Sequence, residues 1–343
     1  MTEQIGSGEA RSRRNALRLA GGAVLAGVAG SAWSVSRARA DQAPAADGAR
    51  AEAVRAEVPA SPRFDLTKPS PDIYRHKQLH CTTVQQSISF DTVNHRLYVV
   101  QRRDGTDSAL GHLCVTRLSP TGTRTGHMHL NGFGHGVAFA AQGVGSETYL
   151  WTEVEANGNG YGRRLARFKF TDGKTLSSGS AELTKLTPVS SASEHTCSID
   201  PVSGRLAVRY HRSGAKHLAL YDLAAAQQGN FAEPLADLPQ PSVPGTMQGY
   251  AVYGRYAYFM VGNAYSGSNP APGNTYLTTV DLNTGKKVQG PTLTKAGGTL
   301  VFREPEGLAI QRTSGGQVRL VMGFASGSAG DRRSNLFHKH ELV

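Results

Sequence analysis

The feature that most constrains the fold of this chain is a short pattern that recurs five times. Each copy begins with a polar residue, continues with a small residue, and then alternates apolar positions with other side chains. A turn and a second strand-like segment follow each copy, and alternation with period two is typical of a β-strand. The copies begin at Gln86, His135, His195, Gln248 and Glu306. One β-unit repeated at intervals of about 50–60 residues predicts a radial or solenoidal array.

The spacing favours one all-β domain, a single β-propeller with five blades, with six or seven blades as the alternatives. A four-stranded blade needs roughly 40–50 residues, so five blades with long connections fill the chain beyond about residue 63. Turn signals such as Asn157–Gly160 separate the strand-like segments. The clearest helical candidate, Leu223–Gln228, is short.

The N-terminal region has the features of an export signal. A twin-arginine pattern at Ser12–Arg18 precedes the apolar stretch Leu19–Trp33, and Ala38–Ala40 supplies a small-x-small cleavage site. We therefore expect a twin-arginine signal peptide over residues 1–40, with an uncleaved anchor as the alternative. The mature chain is then secreted or associated with the cell envelope, without a transmembrane segment.

Two further boundaries follow from composition. Residues 41–62 are rich in Ala, Glu, Arg and Pro and contain no aromatic residue, which predicts a disordered linker. The propeller domain is then expected over residues 63–343, and we expect it to be a monomer.

Net charge points to an anionic partner. The formal net charge is +11, of which the predicted signal carries about +4, so the mature chain remains basic. Such a charge suits a uronate polysaccharide, a teichoic-acid-like polymer or the envelope surface, although ordinary solubility explains it equally well. We expect no nucleic-acid partner, because the chain has no dense Lys/Arg run with interleaved aromatic residues.

The first position of each repeat provides the candidate site. If the five strands are the inner strands of blades, their polar side chains converge on one central face. His135 is the first choice because glycines flank it and expose the imidazole. We take His135, His195 and Glu306 as candidate catalytic residues, and Gln86 and Gln248 as candidate ligand-binding residues. The alternative is that these side chains satisfy backbone groups or bind channel water.

Side chains elsewhere in the sequence extend this candidate surface. Trp151 is a candidate for stacking on sugar rings, and packing within a blade is the alternative. Arg163, Arg164 and Arg209 are candidates for bidentate contacts with carboxylates or phosphates.

Histidine and cysteine patterns do not predict a cofactor. His127 and His129 alternate on one strand face and offer two metal ligands, but no third ligand is evident, so we expect no metal site. Cys81 and Cys114 are candidates for a disulfide within the first repeat, and Cys197 for a small buried apolar residue. No other cofactor is expected.

Enzyme signatures are scarce. The sequence contains no G-x-S-x-G elbow, P-loop or convincing dinucleotide fingerprint. Binding of an anionic glycopolymer is therefore the leading hypothesis. One alternative is a polysaccharide-cleaving lyase or glycoside hydrolase that uses His135 with His195 or Glu306. Another is a protein-interaction scaffold at the cell surface.

Several of these segments together resemble one propeller family. The resemblance covers roughly residues 75–340 and depends on the order and spacing of Val84–Asp91, Gly132–Gly136, Tyr149–Thr152, Met247–Ala251 and Glu304–Leu308. The family comprises teichoic acid biosynthesis protein C-like proteins and the receptor-binding proteins of certain staphylococcal phages. With its twin-arginine pattern, the chain looks like a secreted actinobacterial member. The resemblance implies a β-propeller that binds or processes cell-wall glycopolymers.

Overall fold

The computed structural model describes residues 57–343, and the predicted signal and most of the predicted linker lie outside this part. Nearly all regular structure in it is β-strand. The first strands are β1 Asp72–Gln78, β2 Gln85–Asp91, β3 Arg96–Arg102, β4 Leu113–Leu118, β5 Arg124–Asn131, β6 Ala140–Val144, β7 Glu147–Ala156, β8 Gly162–Lys169, β9 Thr175–Ser177 and β10 Thr184–Leu186. The remaining strands are β11 Ser193–Asp200, β12 Arg205–Arg212, β13 Ala215–Asp222, β14 Ala236–Pro239, β15 Met247–Tyr253, β16 Tyr256–Val261, β17 Tyr276–Asp281, β18 Lys287–Leu293, β19 Glu304–Arg312, β20 Val318–Ser326 and β21 Arg333–Lys339.

These strands form five antiparallel blades, which confirms the predicted all-β class and the favoured blade number. Blade 1 is β2-β3-β4-β5, with the short strand β9 added in parallel to β5. Blades 2, 3 and 4 are β6-β7-β8-β10, β11-β12-β13-β14 and β15-β16-β17-β18. Blade 5 joins the two ends of the described chain, because β1 pairs with β21 outside β19 and β20.

Apolar side chains fill the spaces between neighbouring blades. One cluster joins Ile88 and Val99 of blade 1 to Ala309 and Val321 of blade 5. Both faces of the central strands are covered, so β2 is buried along its whole length. Removal of this apolar area from water is the main favourable contribution to closure of the ring.

The predicted short helix is present as α1, Leu223–Gln227, where the Asp222 carboxylate accepts a hydrogen bond from the Ala225 amide. No helix within residues 57–343 is both long and apolar enough to cross a membrane. Cys81, Cys114 and Cys197 are buried thiols, and Cys197 packs in the core as the sequence predicts.

The polar first residue of the repeat coincides with a β-bulge. Strand register shifts between Gln85 and Ser87, and again between Met247 and Gly249. Equivalent shifts occur in β11 around His195 and in β19 around Glu306. A bulge places one extra residue against the partner strand and redirects its side chain, so the repeat encodes four bulged strand starts.

The second copy of the repeat departs from this pattern. Residues 135–139 form a loop, and β6 begins only at Ala140. The prediction of a strand beginning at His135 is therefore wrong. Gly136 adopts a φ of 80°, a left-handed conformation that turns the chain before it enters the sheet.

The small second residue of the repeat permits close packing at the centre. A Cβ atom on Gly249 would lie 2.7 Å from the Leu308 nitrogen, and one on Gly307 would lie 2.8 Å from the Ser87 Cα atom. Side chains at these positions would push neighbouring inner strands apart. The repeat therefore specifies a narrow ring as well as its bulges.

The predicted linker does not extend to residue 62. Val58 is buried, its amide donates to Asn283, and its carbonyl accepts from the same side chain. Ser61 accepts a hydrogen bond from the Arg255 amide. Residues 57–62 lie against blade 4, because their backbone groups find partners in its turns, so the propeller boundary is earlier than the composition indicates.

Candidate functional site

The candidate site is the face of the ring at which the inner strands begin, which we call the upper face. Contacts between neighbouring strand starts run around its centre. The side-chain amide of Gln85 donates a hydrogen bond to the Glu306 carbonyl, and the Ser87 hydroxyl donates one to the Gly136 carbonyl. His195 Nδ1 lies 2.8 Å from the Arg163 carbonyl oxygen. Together with the close approach of Gly249 to Leu308, these interactions link neighbouring inner-strand starts around the centre.

A buried carboxylate holds the loop that carries His135. Glu153 of β7 is fully buried, and its two oxygens accept hydrogen bonds from the amides of Gly136 and Gly162, both at 2.6 Å. A Cβ atom on Gly134 would lie 2.4 Å or less from this carboxylate. The glycines around His135 therefore serve the close approach of Glu153, in addition to exposing the imidazole.

Burial raises the pKa of Glu153 to about 7. The backbone N–H groups that it accepts from act in the opposite direction, because they stabilise the charged form. The charge of Glu194 raises the pKa further. A group that titrates near neutrality thus lies directly beneath the His135 loop.

His135 itself is half-buried, and its ring stacks on Tyr161 with centroids 5.2 Å apart. This pair forms an accessible imidazole–phenol surface beside the centre of the upper face. Planar stacked rings of this kind suit contact with the apolar face of a sugar.

His195 has a different environment. Its residue is fully buried, its ring stacks on Tyr210, and burial lowers its pKa, which favours the neutral imidazole. A polymer on the surface does not reach this ring. The catalytic pairing of His135 with His195 that the sequence suggests therefore lacks an accessible second partner.

The remaining members of the predicted ring are also largely enclosed. Gln86, Gln248 and Glu306 are 8%, 7% and 8% exposed. The side-chain amide of Gln248 donates a hydrogen bond to the Gly262 carbonyl, and the side-chain amide of Gln86 donates one to the carbonyl of Gln85. Both glutamines thus satisfy backbone groups at their own bulges, and only a small part of each faces solvent.

Trp151 lies in the core and not on the surface. It is fully buried in the cluster between blades 2 and 3, and its indole N–H donates to Gln142. Stacking on a sugar ring is excluded for a side chain without exposure, so the packing alternative accounts for it.

The predicted arginines have three different environments. Arg163 is exposed on β8. Arg164 is paired with Glu155, at 3.6 Å. Arg209 is half-buried and donates to Gln240 at 2.6 Å, while burial lowers its pKa. Arg163 keeps an exposed side chain, the side chain of Arg164 is 37% exposed beside Glu155, and Arg209 is the most enclosed of the three.

A cavity of about 560 Å³ opens on the upper face where blades 1 and 5 meet. Gln86 lines it, and so do three arginines that the sequence analysis did not select: Arg102, Arg103 and Arg332. Arg102 is the last residue of β3, and Arg332 precedes β21. The register of β2 with β3 carries Arg102 to the same end of the blade as Gln86.

Positive groups outnumber negative groups in the lining of this cavity, where the three arginines face one carboxylate, that of Asp104. The Asp104 carboxylate accepts hydrogen bonds from the Thr82 amide and hydroxyl. Arg103 donates to Asn131, and the Arg332 guanidinium lies 3.4 Å from the centroid of the Phe302 ring. The charge of Glu304 also acts on Arg332. An excess of guanidinium groups in a concave site favours a phosphate or carboxylate.

The sequence carries a signal for this cavity. Arg102 and Arg103 follow a strand-like segment and precede Asp104-Gly105, a turn dipeptide. A basic pair at a strand end beside a repeat position marks the upper face. Arg332 has no such local signal, because it reaches the cavity only through closure of blade 5 against blade 1.

Known proteins share this architecture. The family model of the phage 5-bladed beta propeller receptor binding platform domain matches residues 84–338. The chain is 26% identical over 292 residues to the putative major teichoic acid biosynthesis protein C of Bacillus subtilis (strain 168), an alignment that covers 81% of this chain and 64% of that protein. Its fold is similar to that of the tail fiber of Staphylococcus aureus phage P68, with a TM-score of 0.65, 19% identity, and coverage of 81% of this chain and 54% of the fiber chain.

The chain thus spans less than two thirds of the length of each of these two relatives. The family model nevertheless covers most of this chain, and the observed ring has the five blades that the family description names. The resemblance predicted from the repeat segments is confirmed. This chain belongs to the family of phage five-bladed β-propeller receptor-binding platform domains.

Proposed function

We propose that this chain binds an anionic cell-wall or extracellular glycopolymer at the upper face of its propeller. The observation that carries the proposal is the cavity between blades 1 and 5, where Arg102, Arg103 and Arg332 outnumber the one carboxylate of the lining, that of Asp104. A polymer with repeated phosphates or carboxylates pairs with this excess of positive charge.

The dimensions and chemistry of the cavity support a polymer segment. A volume of about 560 Å³ is within the range of sites that enclose a small ligand or one or two sugar units. Thr82, Thr83 and Thr106 add hydroxyl groups to the same lining. Guanidinium groups recognise the acidic groups, and hydroxyls suit the sugar or polyol backbone.

Two kinds of similarity support the same class of ligand. The matching family is described as a receptor-binding platform, and the curated relative is described by its role in teichoic acid biosynthesis. Teichoic-acid-like polymers are rich in phosphate, which fits an arginine-lined cavity. We also expect the chain to act outside the cytoplasm after twin-arginine export, as residues 1–40 predict.

The test compares the polymer affinities of two variants, each of which lacks one arginine on a different face of the ring. The purified chain is passed over immobilised poly(glycerol phosphate), polygalacturonate and neutral dextran, and equilibrium affinities are measured. Arg102→Gln is compared with Arg312→Gln, because Arg312 is exposed on the opposite face and lines a smaller cavity of about 320 Å³ there. Both variants change the net charge equally.

We expect binding to at least one acidic polymer, weaker binding at high salt, and no binding to dextran. Arg102→Gln is expected to weaken binding about tenfold, the loss of one charge-assisted contact. Arg312→Gln is expected to leave it within about twofold. Equal losses in both variants, or no binding to any acidic polymer, would contradict the proposal. Shortening of the polymer during the experiment would indicate the cleavage alternative instead.

A further inference from the structure

Three histidine side chains meet at the outer part of blade 1, beside the arginine-lined cavity. Their nearest ligand nitrogens, one each from His80, His127 and His129, all lie within 4.8 Å of one another. The His80 and His127 rings are parallel, with centroids 3.5 Å apart. The His129 ring stands edge-on to both, at 5.5 and 5.4 Å.

The blade topology explains why these three meet. In the register of β4 with β5, Thr116 lies opposite His127 and Cys114 opposite His129, so both histidines project from one face. His80 belongs to the segment between β1 and β2, and its amide donates to the Thr116 hydroxyl at 3.0 Å. The sequence predicts the two histidines on one strand, whereas the third comes from a segment that is distant along the chain.

Two of the three imidazoles lie in surroundings that disfavour their charged form. Burial, followed by the neighbouring charges, lowers the pKa of His80 and of His129. His129 Nδ1 is buried and has no hydrogen-bond partner among the described residues. A buried ring nitrogen without a partner lowers the stability of the fold unless it binds an ion or forms a hydrogen bond with another group.

The neighbouring carboxylates have other partners. Asp172 accepts a hydrogen bond from the His127 amide at 2.8 Å, and Asp104 accepts from Thr82. The donor set is therefore three imidazoles without an obvious oxygen ligand. Imidazole nitrogens suit zinc, copper and nickel, whereas calcium and magnesium require oxygen ligands.

We propose that His80, His127 and His129 bind one divalent transition-metal ion, with Zn²⁺ as the reference ion and a fourth position for water. Tetrahedral zinc with Zn–N distances of about 2.0–2.1 Å places ligand nitrogens about 3.3 Å apart. The ligand nitrogens lie within 4.8 Å of one another, so binding brings them closer and rotates the His80 and His127 rings out of their parallel stack, because the lone pair of each nitrogen lies in the plane of its ring. Such an ion ties the segment between β1 and β2 to β5, at the junction where blade 5 closes against blade 1.

The experiment measures binding and stability with the same full chain. The protein is stripped with a chelator and titrated with Zn²⁺ by calorimetry, and with Co²⁺ by visible absorption, which reports tetrahedral coordination. Thermal unfolding is recorded with and without Zn²⁺, because an ion that binds only the folded state raises Tm. Ca²⁺ and Mg²⁺ serve as ions that this donor set does not favour.

Two variants test the ligands, and a third provides the control. His127→Ala and His80→Gln each remove one ligand from a different segment. His95→Asn changes an exposed histidine on the opposite face, at a left-handed φ of 51° that asparagine tolerates. Circular dichroism of each metal-free variant verifies the fold.

We expect one equivalent of Zn²⁺ with Kd below about 10 μM, a rise of several degrees in Tm, and tetrahedral Co²⁺ absorption. Each ligand variant is expected to lose at least about tenfold in affinity together with the rise in Tm, while His95→Asn keeps both. Weak binding that is equal in all folded variants, or no binding below about 100 μM, would overturn the proposal. These results do not depend on polymer binding by the arginine-lined cavity.

Discussion

The two faces of the ring use the repeated sequence in opposite ways. At the lower face, where the inner strands end, the first and third repeats place the same residues in the same roles. At the upper face, where the inner strands begin, the equivalent positions carry different residues with different partners. The contrast separates positions that maintain the architecture from positions that are available for a ligand.

The lower face shows what a structural repeat requires. Asp91 and Asp200 end β2 and β11, and each carboxylate accepts hydrogen bonds from two amides of the following turn. Each also reaches the next blade, through the Thr148 hydroxyl in one case and the Gly254 amide in the other. Since every oxygen has a partner in a turn, the same residue type is required in both copies.

Arginines five positions further on complete the same arrangement. Arg96 donates to the Ser146 carbonyl at 3.0 Å, and Arg205 donates to the Gly254 carbonyl at 3.1 Å. Each arginine thus binds the turn of the next blade. These contacts between blades explain why an aspartate and, five positions later, an arginine occur in both the first and the third repeat.

The upper face does not repeat in this way. Gln86, His195, Gln248 and Glu306 occupy equivalent bulges and are all buried. The side chains of Gln86, His195 and Gln248 nevertheless have different hydrogen-bond partners. The three arginines of the cavity lie at one blade junction, between blades 1 and 5. This asymmetry is what a single ligand site in a nearly symmetric ring requires.

The largest expected effect is on the lower face. Asp200→Ala removes the acceptor of three backbone N–H groups, from Val202, Ser203 and Gly254, in a fully buried position. We expect a loss of about 3 kcal/mol in the free energy of unfolding, because the amides are left without partners. Urea unfolding measures it.

The matched control for Asp200→Ala is Asp222→Ala, which removes an exposed cap of helix α1. That variant is expected to lose about 1 kcal/mol or less. Polymer affinity of the folded fraction is expected to be unchanged in both. If fully folded Asp200→Ala bound the polymer more weakly than the wild-type protein, the lower face would also contribute to polymer binding, and the division of roles between the two faces would be wrong.

A smaller effect on stability is expected at the upper face, in Glu153→Gln. The amide nitrogen of glutamine cannot accept the N–H bond that a carboxyl oxygen accepts, so we expect a loss of about 2 kcal/mol at pH 5. The folded-state pKa of Glu153 is raised to about 7. A group whose pKa is raised by folding makes its full contribution to the free energy of unfolding below its pKa in the unfolded state, which is about 4.3 for glutamate. That contribution is lost as the pH rises through the folded-state pKa of about 7.

The difference in the free energy of unfolding between the wild-type protein and Glu153→Gln is therefore expected to decrease between pH 5 and pH 8. Urea unfolding of both proteins across this range tests the sign, since other groups contribute equally to both. A difference that stays constant from pH 5 to pH 8 would mean that Glu153 is already ionised in the folded protein at pH 5 and that its pKa is not raised.

Sequence reasoning recovered the parts of the fold that depend on local pattern. Period-two alternation and the spacing of the copies predicted five blades, and the short helix was confirmed at Leu223–Gln227. The strand start at His135 was wrong because Glu153, on the next strand, holds the preceding loop through its backbone amides. No pattern within the segment reports that contact.

The site was predicted only in part, for a related reason. Choosing residues by their place in the repeat selects the bulges, whose side chains turn toward backbone groups, as Gln248 does toward Gly262. Arg332 and His80 lie outside the repeat and reach their neighbours only when blade 5 closes against blade 1. Long-range contacts of this kind leave no local signature.

The smallest expected effect concerns His135, whose role at the upper face can be isolated by a matched pair of variants. His135 stacks on Tyr161 and His217 stacks on Tyr210, with centroid distances of 5.2 and 5.3 Å and the same interplanar angle of 14°. His135→Ala is expected to weaken polymer binding about threefold, the loss of one stacking surface, while His217→Ala leaves it unchanged. Because both rings are half-buried, their Tm changes are expected to be small and similar. Equal affinity in the two variants, measured on the same immobilised polymer, would confine recognition to the arginine-lined cavity and remove His135 from the site.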